Sequence, residues 1–291
     1  MNFTGCYTAL VTPFNENAEV DYEAFARLIE DQIAAGIDGI VAVGTTGESP
    51  TLGIKDHSAV ISFAVKTVAG RCKVIAGTGA NCTAEAIELT KQAHLDGADA
   101  SLQVTPYYNK PTQEGLYLHI KAIADACEMP IMLYNVPGRS GISIDIDTVV
   151  RLSKIDNVVA IKEAGGCVDR VSEIKNVCDL QILSGDDALT LPMMVNGAVG
   201  VVSVLSNVLP AEMTQLCKLA NAGEFSAARE IHAKYHKLMG DMFIESNPIP
   251  VKTVVAALGY GAEAFRLPLC KISDNARTTL FESARAVGIN I

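Results

Sequence analysis

The chain alternates short, β-branched, apolar runs with amphipathic stretches along most of its 291 residues. The eight apolar runs are YTALVTPF, GIVAVGTTGE, KVIAGTGA, ASLQVTPYY, PIMLYNVPG, VVAIKEAGG, LQILSGDD and GVVSVLSN. Nearly continuous apolar strands that alternate with helices indicate a parallel sheet covered by helices. The alternation therefore predicts the α/β class, either as a closed barrel or as an open, doubly wound sheet.

The boundaries of two helices can be read from their ends. DYEAFARLIEDQIAAG begins at Asp21, a suitable N-cap, and ends at Gly36, whereas TAEAIELTKQAHLDG begins at Thr83 and ends at Gly97. A doubly wound sheet usually carries a glycine fingerprint after its first strand, and TALVTPFN has none. We therefore predict a (β/α)8 TIM barrel over residues 1–222, followed by a C-terminal helical domain over residues 223–291.

Composition restricts the classes of partner. The net charge of −10 argues against a nucleic-acid partner, which would need a basic face. No apolar run reaches the ~18 residues that suggest a membrane span. MNFTGCYTALVTPF lacks the features of a secretion signal, and the eight cysteines are scattered without a C-x-x-C pair. These features predict a cytoplasmic protein with reduced thiols.

Lys162 lies near the end of the apolar run VVAIKEAGG, where a charged side chain is unusual. Alternation along a strand places Lys162 on one face and its neighbours Ile161 and Glu163 on the other. On an edge strand the ammonium group would reach water, but a closed barrel has no edge strand. Burial disfavours the ammonium form, and a neutral amine can attack a ketone to form a Schiff base.

Other polar residues follow the predicted strands, at the end of the barrel where active sites lie. Tyr134 ends the predicted strand immediately before the one that carries Lys162, and its hydroxyl could transfer protons. The alternative is a core tyrosine whose hydroxyl forms a structural hydrogen bond. Thr45 and Thr46, in the turn GTTGE, suit a carboxylate-binding loop or a simple turn. Arg139 follows a Pro-Gly turn and suits a carboxylate, although an exposed loop arginine is equally consistent.

Several other kinds of site are disfavoured. The five histidines all fall in helical patterns, and His232 and His236 lack the glutamate of H-E-x-x-H. Asp186 and Asp187 are interpreted as capping residues, so no metal site is predicted. Neither SGDDALT nor SVLSNVL provides a glycine-rich phosphate turn, and G-x-S-x-G is absent.

The motifs GTTGES, TPYYNKP, YNVPGRSG and IKEAGG, in this order, together with RLPL near Arg266, resemble the 4-hydroxy-tetrahydrodipicolinate synthase family, also called the dihydrodipicolinate synthase family. The family belongs to the pyruvate-dependent class I aldolases. The resemblance runs from Phe3 nearly to the C-terminus. It implies a lyase that condenses pyruvate with L-aspartate 4-semialdehyde, in the diaminopimelate route to lysine, with no cofactor beyond a lysine imine.

The resemblance also implies roles for individual residues. Lys162 resembles the Schiff-base lysine, Tyr134 the proton-relay tyrosine, Thr45 its hydrogen-bonded link, and Tyr108 the tyrosine that completes the relay in a neighbouring subunit. Thr46 matches the residue that holds the pyruvate carboxylate. Gly185 and Val202 match backbone positions near that carboxylate, and Arg139 matches the arginine that meets the carboxylate of the semialdehyde.

Regulation and assembly follow from the same resemblance. Lysine-inhibited members bind lysine at a tight-dimer interface, and the residues that match this site are Ser49, His57, Asn81, Glu85 and Tyr107. Ile54 and Pro50 depart from the family pattern, which predicts feedback inhibition with altered affinity. The implied assembly is a homotetramer made of two tight dimers.

Two alternative functions remain open. Another pyruvate-dependent aldolase, such as N-acetylneuraminate lyase, would share the lysine and the tyrosine, but Arg139 and Thr45 favour the synthase. A non-catalytic, lysine-responsive binding protein would form no covalent adduct with pyruvate.

Overall fold

The computed structural model describes all 291 residues, and its eight strands form one closed parallel barrel. The strands follow one another around the barrel in chain order, and the last pairs with the first. Their bounds are β1 Gly5–Ala9, β2 Gly39–Ala42, β3 Lys73–Gly77, β4 Ala100–Val104, β5 Ile131–Asn135, β6 Val158–Glu163, β7 Gln181–Ser184 and β8 Gly200–Ser203. The predicted TIM barrel is confirmed, and the open sheet is excluded.

The chain has twelve helices, and most of them follow the strands and cover the outside of the barrel. Their bounds are α1 Tyr22–Ala34, α2 Ile54–Val68, α3 Thr83–Leu95, α4 Gln113–Ala126, α5 Pro137–Ser140, α6 Ile146–Leu152, α7 Asp169–Lys175, α8 Thr190–Val195, α9 Pro210–Asn221, α10 Phe225–Asp241, α11 Ile249–Ala257 and α12 Asp274–Ala286. Two short 3₁₀ turns lie at Ser49–Thr51 and Leu205–Asn207. No helix is both long enough and apolar enough to cross a membrane.

The two helices delimited from the sequence are confirmed. The Asp21 carboxylate accepts a hydrogen bond from the Ala24 N–H at 2.9 Å and caps α1, while Gly36 follows the helix with a φ of +79°. Thr83 is the first residue of α3. Its hydroxyl forms a 2.9 Å hydrogen bond with Nδ1 of His119 on α4, so it links the two helices.

Three helices, α10 to α12, follow the barrel, in agreement with the predicted C-terminal helices. The proposed boundary at residues 222 and 223 falls between α9 and α10. The division into two domains remains a prediction. Contacts from the segment between α10 and α11 reach the end of the barrel where Thr46 and Arg139 lie.

Candidate active site

Lys162 and Tyr134 lie opposite each other on neighbouring strands. β6 is paired with β5 on one side and β7 on the other, so Lys162 is not on an edge strand. The Lys162 Nζ is 4.3 Å from the centre of the Tyr134 ring, and each residue is only 6% exposed. The lysine is therefore directed into the protein against an aromatic ring.

Asn135 and Glu163 come directly after Tyr134 and Lys162, and their side chains are hydrogen-bonded to each other on the opposite face of β5 and β6. Both carboxylate oxygens of Glu163 accept hydrogen bonds from the Asn135 amide, at 2.8 and 2.9 Å. The carboxylate also accepts from the Gly165 N–H at 2.7 Å and from the Arg170 Nε at 2.9 Å. These donors compensate for its burial and fix the ends of β5 and β6. This network was not predicted from the sequence, although a glutamate beside Lys162 in a buried strand is a signal for it.

Gly185 makes room for the lysine side chain. Its N–H donates to the Glu163 carbonyl at 2.8 Å, which brings the backbone close to β6. A Cβ atom at this position would lie 2.6 Å from the Ala164 Cβ and 3.0 Å from the Lys162 Cε. Only glycine leaves the lysine its present space.

A cavity of about 140 Å³ surrounds the amine. Its walls contain six of the predicted site residues, namely Lys162, Tyr134, Thr45, Thr46, Arg139 and Gly185. Val202 is fully buried in β8 and is not part of the wall, whereas Val204 is. Most of the candidates were chosen because they follow the carboxyl ends of strands, and they do lie together at one end of the barrel.

A second cavity of about 270 Å³ adjoins the first. The two cavities share Thr45, Tyr134, Val136 and Arg139 as wall residues. The larger cavity also reaches Ser49 and Tyr107, two residues of the predicted lysine site. The lysine-bearing cavity and part of the predicted effector site are therefore neighbours.

The predicted proton relay is only partly assembled within one chain. Thr45 and Tyr134 line the same cavity. Tyr108 is 90% exposed, has a φ of +72°, and lies outside both cavities. Tyr108 is therefore available to another chain and does not contribute to the cavity of its own.

Other residues of the predicted effector site also lie near Tyr107. The Asn81 amide donates to the Tyr107 carbonyl at 3.1 Å. Burial raises the pKa of Tyr107, and the Glu85 carboxylate raises it further. His57 is buried, and burial lowers its pKa to about 4.

Asn247, between α10 and α11, contacts two predicted site residues and was not predicted. Its Nδ2 donates to the Thr46 hydroxyl at 3.0 Å, and its backbone carbonyl accepts from the Arg139 guanidinium at 3.0 Å. Asn247 and Phe243 also form part of the wall of the smaller cavity. This segment lies far along the chain from every strand, so a search of the residues that follow the strands does not find it.

A buried ion pair joins helix α11, which follows this segment, to the GTTGE turn. The Lys252 ammonium donates to the Glu48 carboxylate, and both side chains are almost completely buried. Burial lowers the pKa of Lys252 to about 8, although Glu48 opposes this shift. Nζ also lies 3.4 Å from the centre of the Phe14 ring.

The histidines and Asp187, which were considered as metal ligands, lie in helices or cap a turn. All five histidines lie in helices α2, α3, α4 and α10. The Asp187 carboxylate accepts from the backbone N–H groups of Val204 and Leu205, at 2.9 and 2.8 Å, and caps the turn after β8. Burial raises the pKa of Asp187. No group of three or more His, Cys, Asp or Glu side chains is arranged to hold a metal ion.

A closed parallel barrel, with a buried lysine facing a tyrosine in a cavity lined by hydroxyls and an arginine, defines the class of Schiff-base barrel aldolases. The model of the dihydrodipicolinate synthetase family matches residues 2–287. The chain therefore belongs to this family.

Individual relatives agree with this assignment. The chain is 50% identical to the 4-hydroxy-tetrahydrodipicolinate synthase of Endomicrobium trichonymphae, over 99% of both chains. The crystal structure of the Acinetobacter baumannii dihydrodipicolinate synthase complexed with pyruvate superposes with a TM-score of 0.97, at 44% identity, over 99% of this chain and 100% of that one. The structure of the enzyme from Cyanidioschyzon merolae with lysine bound gives a TM-score of 0.95 at 40% identity, over 99% of both chains.

Proposed function

We propose that this chain is a lyase that condenses pyruvate with L-aspartate 4-semialdehyde to give 4-hydroxy-tetrahydrodipicolinate. The product belongs to the diaminopimelate route to lysine. The proposal is supported by the family membership, by the relatives of that name, and above all by the contact between the Lys162 amine and the Tyr134 ring in a walled cavity.

The Lys162 amine attacks the ketone carbon of pyruvate, and loss of water from the carbinolamine gives an imine. The imine withdraws electrons, so a methyl proton can leave to form an enamine. The enamine carbon attacks the aldehyde carbon of the semialdehyde, forming the carbon–carbon bond. The amino group of the semialdehyde then attacks the imine carbon, which closes the ring and releases the Lys162 amine.

Proton transfers are assigned to three hydroxyl groups. Tyr134, whose ring contacts the reacting amine, moves protons to and from the carbinolamine. Thr45 lines the same cavity and links Tyr134 to Tyr108 of a neighbouring subunit. The high exposure of Tyr108 supports this assignment, because an exposed side chain is accessible to a neighbouring subunit.

The two substrate carboxylates occupy separate positions. Thr46, with the backbone near Gly185 and Val202, holds the carboxylate of pyruvate beside Lys162. Arg139 belongs to the walls of both cavities and binds the carboxylate of the semialdehyde at the entrance.

Regulation and assembly complete the proposal. L-lysine binds as a feedback inhibitor at Ser49, His57, Asn81, Glu85 and Tyr107, where the Glu85 carboxylate pairs with an ammonium group of the effector. The structure of a relative with lysine bound supports lysine as the effector. The chain forms a homotetramer of two tight dimers, in which Tyr108 crosses between subunits, and it acts in the cytoplasm.

Trapping of the imine tests the proposal. Borohydride reduction in the presence of pyruvate, followed by peptide mass mapping, is expected to place the adduct on Lys162 alone. Lys162→Arg should abolish the adduct, whereas the same change at the exposed Lys154 should leave it intact. An adduct on another lysine, or none in the unaltered protein, would contradict the proposal. Steady-state rates with a panel of aldehyde acceptors distinguish the synthase from other pyruvate-dependent aldolases.

A further inference from the structure

The contact between Asn247 and Thr46 assigns a role to a residue outside the barrel strands. We propose that Asn247 is a positioning residue that orients the Thr46 hydroxyl so that its proton is free to bind the carboxylate of pyruvate. This inference rests on the proposed function, because it assumes that Thr46 holds that carboxylate.

The direction of the hydrogen bond carries the argument. An amide nitrogen can only donate, so the Thr46 oxygen is the acceptor in the 3.0 Å contact with the Asn247 Nδ2. A hydroxyl has a single proton, and this contact does not use it. Both residues are buried, at 3% and 6% exposure, so the contact between them is shielded from bulk water. The Thr46 proton therefore remains available to a carboxylate in the cavity that both residues line.

The amide itself has no competing hydrogen bond. The Asn247 Oδ1 is buried and has no partner in the protein, so the Nδ2 contact with Thr46 is the single protein hydrogen bond of this side chain. The bond to Arg139 uses the backbone carbonyl and is independent of the side chain. A substitution at Asn247 therefore changes the Thr46 contact selectively.

The two segments that meet in this contact are joined a second time nearby. Glu48 follows Thr46 by two positions, Lys252 follows Asn247 by five, and the two form the buried ion pair. The Glu48 carboxylate also accepts from the Arg266 N–H at 3.2 Å. The position of Asn247 relative to Thr46 is thus fixed before substrate binds, which is the condition for a hydroxyl to be preorganised.

The experiment measures the pyruvate concentration that gives half-maximal imine trapping, without the second substrate. Asn247→Ala is expected to raise this concentration about tenfold, which corresponds to ~1.4 kcal/mol. Asn247→Asp is expected to raise it further, although it preserves shape. A carboxylate can only accept, so it takes the Thr46 proton and places a negative charge beside the substrate carboxylate.

A double-variant comparison separates positioning from a general structural role. In a Thr46→Val background, Asn247→Ala is expected to change the half-saturating concentration less than twofold, because the hydroxyl through which Asn247 acts is gone. In a Thr46→Ser background, which keeps the hydroxyl, the full effect of Asn247→Ala should return. The melting temperature and the amount of adduct at saturating pyruvate confirm that each variant is folded.

Either of two results overturns the inference: a half-saturating concentration that stays within twofold in Asn247→Ala, or an equal effect of that change with and without the Thr46 hydroxyl. Failure of the proposed function gives a different result, namely no adduct on Lys162 in the unaltered protein.

Discussion

The Lys162 amine lies against the face of the Tyr134 ring, with Nζ 4.3 Å from the ring centre, because strand pairing sets the two residues side by side. The next pair in the same register, Asn135 and Glu163, is hydrogen-bonded on the other face of the strands. Strand pairing therefore fixes the relative position of the two backbone segments that carry the amine and the phenol. A substitution that changes only a side-chain group at this site should therefore alter the reaction without displacing the strands.

Replacing Tyr134 with phenylalanine removes the hydroxyl and keeps the ring that contacts Lys162. Turnover is expected to fall about 10²- to 10⁴-fold, the range for loss of a general acid–base group. Tyr117→Phe is the control, since this ring contacts Arg151 on the outside of the barrel. Steady-state rates check the prediction, and a loss below tenfold would remove Tyr134 from the proton-transfer pathway.

Gly185→Ala is expected to reduce imine formation at least tenfold, because the added Cβ would lie 3.0 Å from the Lys162 Cε and force the amine to move. Gly240→Ala is the matched control, because a Cβ in that helix meets nothing within 4 Å. Borohydride trapping at fixed pyruvate measures the effect. Equal trapping by both variants would show that the lysine can shift without consequence.

The buried pair of Glu48 and Lys252 yields a prediction about stability. Glu48→Gln and Lys252→Met each leave one buried group without its partner, and each should lower the free energy of unfolding by about 3–5 kcal/mol. The double variant removes both charges and should be more stable than either single variant. Urea denaturation measures the three values. Additive losses would mean that the two side chains do not interact.

His57 should make the protein sensitive to mild acid. Its pKa is lowered from 6.5 to about 4 by burial, so the unfolded chain binds the proton first as the pH falls. The free energy of unfolding should therefore decrease between pH 6.5 and 4, by up to about 3 kcal/mol from this group. Above pH 6.5 the contribution is constant. His57→Gln should flatten this slope, and the same change at the exposed His94 should not.

Feedback inhibition can be tested at α3. Glu85→Gln should raise the lysine concentration for half-maximal inhibition about tenfold, because the effector loses one charged partner worth ~1.4 kcal/mol. The exposed Glu88 on the same helix provides the control substitution. Inhibition curves at fixed substrate concentrations measure the shift. No inhibition of the unaltered protein by saturating lysine would reject the effector site altogether.

The sequence was sufficient for the barrel and for much of the candidate site, because both depend on local patterns. Strand-end residues such as Tyr134, Lys162 and Gly185 could be placed together once the eight strands were recognised. Asn247 and Lys252 could not be placed, because their contacts span about 200 residues and depend on how the last helices pack.

The reach of Asn247 into the strand ends has a consequence for protein engineering. A fragment that stops after residue 222 would retain all eight strands but would lack the amide beside Thr46 and the carbonyl that holds Arg139. A chimera that joins such a barrel to unrelated C-terminal helices would keep Lys162 but would lack the groups that hold Thr46 and Arg139. The stretch from Phe243 to Arg266 should therefore be transferred together with the barrel as a single unit.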